Sequence, residues 1–491
     1  MMIDKIHSGM VQLFHQYILG RLPPDAFSTE FSRYESRLYP AFLSERLASV
    51  QLYGQLMLLT RLAKETSASP MASLKASLTR LNHHQKAASR DLSGHGTKEL
   101  FSGDKHAMQN FFSNAENVES VREAYRLKHI PDSLSRPLFD AALTHLDEVF
   151  NVRTEVARQH GFSSYSHGKC ALISDTQTES VLKTLGDSYA QLSLCIDGIL
   201  ADLSLSSEGL RDPATFRIRI RQLLADADLT LPAFSIDDAL NSFVCFLNER
   251  SDAAASFRRV QGGYLIDIRS NSEFYRLPLL SCPGNHTVTA PSNDIIAEGS
   301  TGVTYLKARL FTELLSVREI RTLYHELGHL LSMSLYQGRP AFYHADFRDI
   351  IEVPSQLIEY EAIAFLYGSY ITSRSQRKLF DCLIRMDIPD ELRQTEIGCA
   401  DILVHSGTRC RSVLNAALPS SVHCYFSYPY FPSRLLYVKH IQDGDMAGEY
   451  YLYPLNAVTA RAMSQRTGSL LKIENLTDSD IIRSVQADLL S

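Results

Sequence analysis

The sequence predicts a mainly helical protein with a small β-sheet ahead of its central motif. Two observations carry this expectation. Apolar residues recur at helical spacing through much of the first 150 residues and again from Thr178 to Leu203, while alternating strand patterns are sparse. No internal repeat, low-complexity tract or glycine-rich phosphate loop interrupts the pattern. At 491 residues the chain can bury a large core and has room for two or three domains.

Taken in order, Ile3, Ile6, Met10, Phe14 and Tyr17 form a first stripe at helical spacing, the mark of a core-facing helix. Lys5 and Arg21 are offset there by Asp4 and Asp25. A mitochondrial transit peptide is rich in Arg and poor in acids, so this segment shows no clear transit signal and reads as mature structure, or as a chain whose true start is missing. Helices are predicted over Leu47–Leu62 and over Phe139–Val156, where Phe139, Leu143, Leu146 and Phe150 share a stripe that Val149, Val152 and Val156 widen. The polar cluster from Ser89 to Gly103 predicts a connection, and the Thr178–Leu203 helix breaks at Ser204–Gly209. Strand signals sit at Gly263–Arg269 and around Thr287–Thr289. The expected division is a helical region, 1–145, followed by a region, 146–491, that carries the chemistry-bearing motifs.

Composition narrows the function. Forty-five per cent apolar and 21% charged residues is the balance of a soluble globular protein. Lys and Arg number 49 against 55 Asp and Glu, a formal charge of -6, which gives no basic footprint for nucleic acid. No apolar run approaches the roughly 20 residues of a membrane span. Eight cysteines without a CxxC pair read as single buried thiols in a reducing compartment, so neither a disulfide framework nor a thiolate zinc site is expected. On these grounds the protein is expected in the cytoplasm, and nothing signals an oligomeric state.

The informative stretch is Ser316-Val-Arg-Glu-Ile-Arg-Thr-Leu-Tyr-His-Glu-Leu-Gly-His-Leu-Leu331. Ser316 followed by Glu319 is a capping-box pattern, so a helix should start there. Ile320, Leu323, Leu327, Leu330 and Leu331 supply a face for burial, and Gly338 and Pro340 mark where the helix can no longer continue. On that helix His325 and His329 lie four apart on one face, so both imidazoles can reach one metal ion. Two imidazoles and a carboxylate suit zinc, with water in the open position. Zinc lowers the pKa of such a water toward ~7, and Glu326 is placed to take its proton and pass it to a leaving amine. Two such histidines can also be ordinary hydrogen-bonded residues. Ser332 and Leu335 exclude the elongated form of the motif with a third histidine.

A third ligand must therefore lie further on. Asp349 and Glu352 stand three apart at the expected start of a helix, where one can bind metal and the other orient a ligand imidazole. Pro354 is tolerated only in a first turn, so that helix should begin near Asp349. A solvated acidic face is the plainer account of these two carboxylates, and His344 is a rival ligand.

Tyr324–His329 followed by Glu352-Val-Pro-Ser-Gln-Leu-Ile-Glu-Tyr360 resembles the thimet oligopeptidase family of zinc metallopeptidases, and most of all its mitochondrial intermediate peptidase branch. Gly161-Phe-Ser-Ser-Tyr-Ser-His167, Tyr264-Leu-Ile-Asp267, Tyr428-Pro-Tyr430, and His440 followed by Tyr450-Tyr-Leu-Tyr453 resemble further family segments, in family order. The resemblance implies a two-lobed helical ellipsoid with a deep channel, one Zn2+ per chain, Glu352 as third ligand and Asp349 behind the ligands. It implies that His440 and Tyr453 face the metal, with the Tyr453 hydroxyl donating to the oxyanion, and that Tyr450 contacts substrate. From the residues alone these tyrosines are equally core aromatics. The implied activity is endopeptidase cleavage of unfolded peptides, or trimming of N-terminal precursor segments in the mitochondrial matrix. Three features depart from the family: Ser332 stands where a histidine is usual, the linker before Glu352 is short and lacks a Gly-Thr pair, and Asp445-Met446 replaces Gly-Tyr. They motivate a second expectation, a peptide-binding homologue with weakened chemistry.

Overall fold

The computed structural model describes residues 22–89, 135–202, 231–260, 263–270, 273–281, 295–298, 303–308, 314–336, 342–413, 438–442, 446–467, 473–476 and 478–490, with isolated positions 3, 5, 6, 9, 12, 13, 16, 223, 229, 435 and 436. The protein is mainly helical with one small sheet. Three long helices come first: α1 (Pro24–Leu43), α2 (Ala48–Thr66) and α3 (Ala68–Ser89). Then follow α4 (Arg136–Gln159), α5 (Tyr165–Ser174), α6 (Thr178–Asp202) and α7 (Ile236–Arg250).

The periodic segments became helices because their stripes found partners. Leu143, Leu146, Val149 and Phe150 of α4 are almost fully buried against Leu74 and Leu81 of α3. The same cluster runs on into Ile397, Ala400, Ile441 and Tyr450, so α4 packs against C-terminal residues as well. The expected division at 145/146 falls inside this continuous helix. Ile3 and Ile6 are buried with Leu38, Ala41 and Phe42, as their spacing predicts, whereas Met10, Phe14 and Tyr17 lie outside the described residues. Also outside them lie the expected connection from residue 90 to Gly103, the break at Ser204–Gly209, the strand near Thr287–Thr289, and Gly338 and Pro340.

The sheet follows. Strands β1 (Ala254–Val260), β2 (Gly263–Ser270) and β3 (Glu273–Ser281) form an antiparallel meander, with Ile266 opposite Leu277 across the second pair. Strand β4 (Ile295–Glu298) pairs antiparallel with β5 (Val303–Ala308), and β5 runs parallel beside β3, giving the order β1-β2-β3-β5-β4. Tyr264, Ile266 and Ile268 alternate along β2 into the core, where they join Leu277 and Leu279.

Behind the sheet come α8 (Val317–Leu335), the short α9 (Tyr343–Phe347), α10 (Glu352–Tyr367), α11 (Arg374–Phe380) and α12 (Ile388–Val404). The chain closes with α13 (Lys439–Gln442), α14 (Leu452–Thr467) and α15 (Ser479–Leu490). The largest hydrophobic cluster joins β2, β3, α7, α8 and α10, so α8 is wedged between the sheet and α10. No helix among the described residues is long and apolar enough to cross a membrane. The cysteines need one correction. Cys170, Cys399 and Cys410 are buried as expected, but Cys245 and Cys382 are only half-buried and Cys195 is exposed, because it falls on the solvent side of α6 beside the exposed Leu194.

Candidate metal centre

Helix α8 starts as its sequence dictates. Ser316 caps it, its hydroxyl accepting from the Glu319 N–H while the Glu319 carboxylate accepts from the Ser316 N–H at 2.7 Å. Ile320, Leu323, Leu327, Leu330 and Leu331 are all fully buried. That face fixes the helix's rotation and turns His325 and His329 toward α10.

The two helices meet at Gly328. A Cβ at that position would lie 2.6 Å from the Ser355 Cα, so only glycine permits this approach. Helix α10 begins at Glu352, three residues later than its sequence predicts. Asp349 to Ile351 form a tight turn first, with Ile350 N–H bonded to Phe347 O and Val353 N–H to Ile350 O. Pro354 thus sits in the first turn, where its missing N–H has no intrahelical partner to lose.

The result is a convergence of His325, His329 and Glu352. Nε2 of His325 and Nε2 of His329 each lie 3.1 Å from Oε2 of Glu352. One donor atom from each residue falls within 4.8 Å of the others, and these are the only three such residues so grouped among those described. The imidazoles stand nearly perpendicular, 4.9 Å between centroids. A tetrahedral ion with ligands about 2.0–2.2 Å away holds donors about 3.3 Å apart, so this donor set fits zinc in both chemistry and size. Glu326, 2% exposed, lies beside them on α8.

Electrostatics bind the group together. Burial opposes charge on His325, but hydrogen bonds to Glu352 and Glu359 and their charges push its pKa up to about 10. Burial likewise opposes ionisation of Glu352, yet the charge of His329 and hydrogen bonds from both imidazoles hold its carboxyl well below the usual range. Protons and a cation thus compete for the same donor atoms.

The carboxylate that holds the His325 imidazole is Glu359, not Asp349. Oε2 of Glu359 lies 3.1 Å from Nδ1 of His325, and its other oxygen takes Arg321, whose second arm reaches Asp387 at 2.9 Å. Asp349 instead makes a two-pronged pair with Arg483 of α15, at 2.8 and 2.9 Å. The reason is geometric. Glu352 and Glu359 are two turns apart on one face of α10, whereas Asp349 precedes the helix and is engaged by Arg483. That seven-residue spacing is visible in the sequence, whereas the close approach at Gly328 depends on the packing of α8 on α10. His344 lies on α9 and is not part of the converging group.

His440, Tyr450 and Tyr453 also come together. Their ring centroids lie 6.1 Å apart for His440 and Tyr450, 6.3 Å for His440 and Tyr453, and 5.3 Å for the two tyrosines. Burial raises the Tyr453 phenol's pKa, and the nearby Glu352 charge raises it further, so it stays a hydroxyl donor. Tyr450, more buried, is pushed up to about 12. Met446 turns its sulfur toward Arg348, 3.3 Å away. Tyr428 and Tyr430 lie outside the described residues. A cavity of about 350 Å3 lined by Tyr53, Leu172, Arg348, Asp349 and Arg483 includes none of the three converging residues.

No protein-family model and no curated protein matches this chain.

Proposed function

We propose that this protein is a zinc-dependent metalloendopeptidase of the thimet oligopeptidase kind, with a two-lobed helical fold around a channel and unfolded peptides as substrates. One observation carries the reading: donor atoms of His325, His329 and Glu352 converge from two helices, with the buried Glu326 next to His325 along α8. One Zn2+ would be held by these three residues. Such an ion supplies Lewis-acid polarisation and an activated water at neutral pH.

The remaining work falls to the chain. Glu326 takes a proton from the attacking water and delivers it to the amine that leaves. The Tyr453 hydroxyl, kept protonated by burial and by Glu352, donates to the oxygen that becomes negative as the peptide carbon turns tetrahedral. His440 and Tyr450 line the wall against which the peptide rests. By the same resemblance, the physiological substrates are N-terminal segments of imported mitochondrial precursors, cleaved in the matrix.

Protein purified without chelators is expected to carry about one zinc per chain and to cleave a quenched, unstructured peptide in a chelator-sensitive way. Glu326→Gln should keep the zinc and lose turnover. Absence of zinc from the wild type, or unaltered turnover in that variant, would sink the reading. Peptide binding without hydrolysis would favour a weakened, peptide-holding homologue.

A further inference from the structure

His440, Tyr450 and Tyr453 come together from two pieces of chain, 438–442 and 446–453, with Tyr453 near enough to Glu352 to feel its charge. Tyr453 stands in the first turn of α14, whereas His440 lies on the four-residue α13 and Tyr450 on the turn before α14, so these last two need another support. The residues that supply it form one buried polar chain. Arg153, on α4, donates to the carbonyl of Ile441 at 2.8 Å and to that of Gln442, the two residues after His440. Its guanidinium also lies 3.3 Å from Nε2 of His405. Nδ1 of His405 lies 2.9 Å from the Asp401 carboxylate. That carboxylate accepts from the N–H of Gly448 at 3.1 Å and from the N–H of Tyr450 at 2.9 Å.

Arg153, His405 and Asp401 are each 1% exposed or less. Charged groups so deeply buried are retained only when every partner is in place, and the arrangement has little slack. Rings of Phe150 and Tyr165 pack on the His405 imidazole at 4.5 and 5.2 Å, fixing its plane. At one end the chain grips the backbone beside His440, and at the other it grips the backbone of Tyr450, three residues before Tyr453.

We propose that Arg153, His405 and Asp401 are positioning residues that set where His440, Tyr450 and Tyr453 stand relative to the metal ligands. The inference rests on the peptidase reading for its consequence, but its geometric content stands apart from it. An oxyanion donor works only when held within a few tenths of an ångström of its target, so a small slackening of this chain costs turnover rather than binding. Lysine at 153 keeps the charge but loses the fork that spans two carbonyls and an imidazole. Asparagine at 401 keeps one acceptor oxygen where two are used.

The experiment has two readouts on the full chain. Histidine-labelled NMR of Arg153→Lys, Asp401→Asn and the milder His405→Gln reads position directly. The His440 signals should move in all variants that fold, while those of His325 and His329 stay in place. Kinetics on zinc-loaded protein with an unstructured peptide read the consequence. We expect kcat to fall about tenfold or more at near-constant KM and zinc content, with the loss shrinking to about twofold when Tyr453 is already phenylalanine. Unmoved His440 signals overturn the proposal. So does unchanged kcat in a variant whose His440 signals have moved, or a loss that is fully additive with Tyr453→Phe. An inactive wild type would instead count against the peptidase reading, and the NMR result would still decide the positioning claim.

Discussion

Nδ1 of His325 lies 3.1 Å from Oε2 of Glu359, and the partner oxygen of that carboxylate is held by Arg321. The pairing fixes the imidazole's plane and keeps its proton on Nδ1, which leaves Nε2 directed at the site. Replacing Glu359 with Gln removes the charge and loosens this orientation. Zinc affinity, measured by competition with a chromogenic chelator, is expected to fall about 10- to 100-fold.

Asp349 provides the contrast. Its carboxylate is engaged by Arg483 rather than by an imidazole. Asp349→Asn should lower the melting temperature while leaving zinc affinity within about threefold of wild type, well short of the loss expected at Glu359. An equal loss at both positions would place Asp349 back among the residues that orient the ligands.

Gly328 offers a test of the helix contact itself. A methyl group there would meet the Ser355 backbone rather than a movable side chain. Gly328→Ala should therefore push α8 from α10 and cost about 3 kcal/mol in urea unfolding, although alanine is the better helix former. Zinc stoichiometry should fall with it, because His325 and His329 ride on α8 and Glu352 on α10.

Glu449 lies between Lys169 at 2.6 Å and Arg348 at 3.0 Å, with Lys169 and Glu449 almost fully buried. Removing Lys169 leaves the buried Glu449 with Arg348 but without its second cation, so Lys169→Met should destabilise the fold by about 1.5–3 kcal/mol. The pH dependence has a definite sign. Burial raises the Glu449 pKa, but Arg348 and Lys169 outweigh it and hold the carboxyl below its ordinary 4.5. Its contribution is present above pH 4.5 and lost as pH falls through the lower folded value. Burial lowers the Lys169 pKa, but Glu449 outweighs it and holds the ammonium above 10.5, so that contribution is present below 10.5 and lost at higher pH. Urea midpoints across pH should fall less steeply on the acid side in Glu449→Gln.

Much of the histidine-bearing helix was legible in the sequence because it depends on local rules. A capping box, an apolar stripe and a four-residue spacing set the start, rotation and histidine face of α8, and all are realised. What the sequence concealed depends on partners distant along the chain. Asp349 and Glu359 look alike as carboxylates near Glu352, and only the packing of α15 and α8 against this stretch separates their roles. The same holds for Arg153, His405 and Asp401, which in sequence are unremarkable polar residues and in the fold are fully buried. Cys195 falls off the buried stripe of Val181, Leu185, Tyr189, Leu192 and Ile196, so its exposure follows from the helical spacing of α6.

The spacing of contacts along the chain gives the site a built-in order of assembly. His329 and Glu352 are 23 residues apart and His325 and Glu359 are 34 apart, so the histidine–carboxylate contacts are local in the chain. Arg348 finds Glu449 across 101 residues, and Arg153 finds His405 across 252. Short loops close sooner than long ones. Refolding followed with a zinc-sensitive dye should therefore register metal capture before peptide cleavage returns, leaving a transient species that holds the ion yet cannot use it.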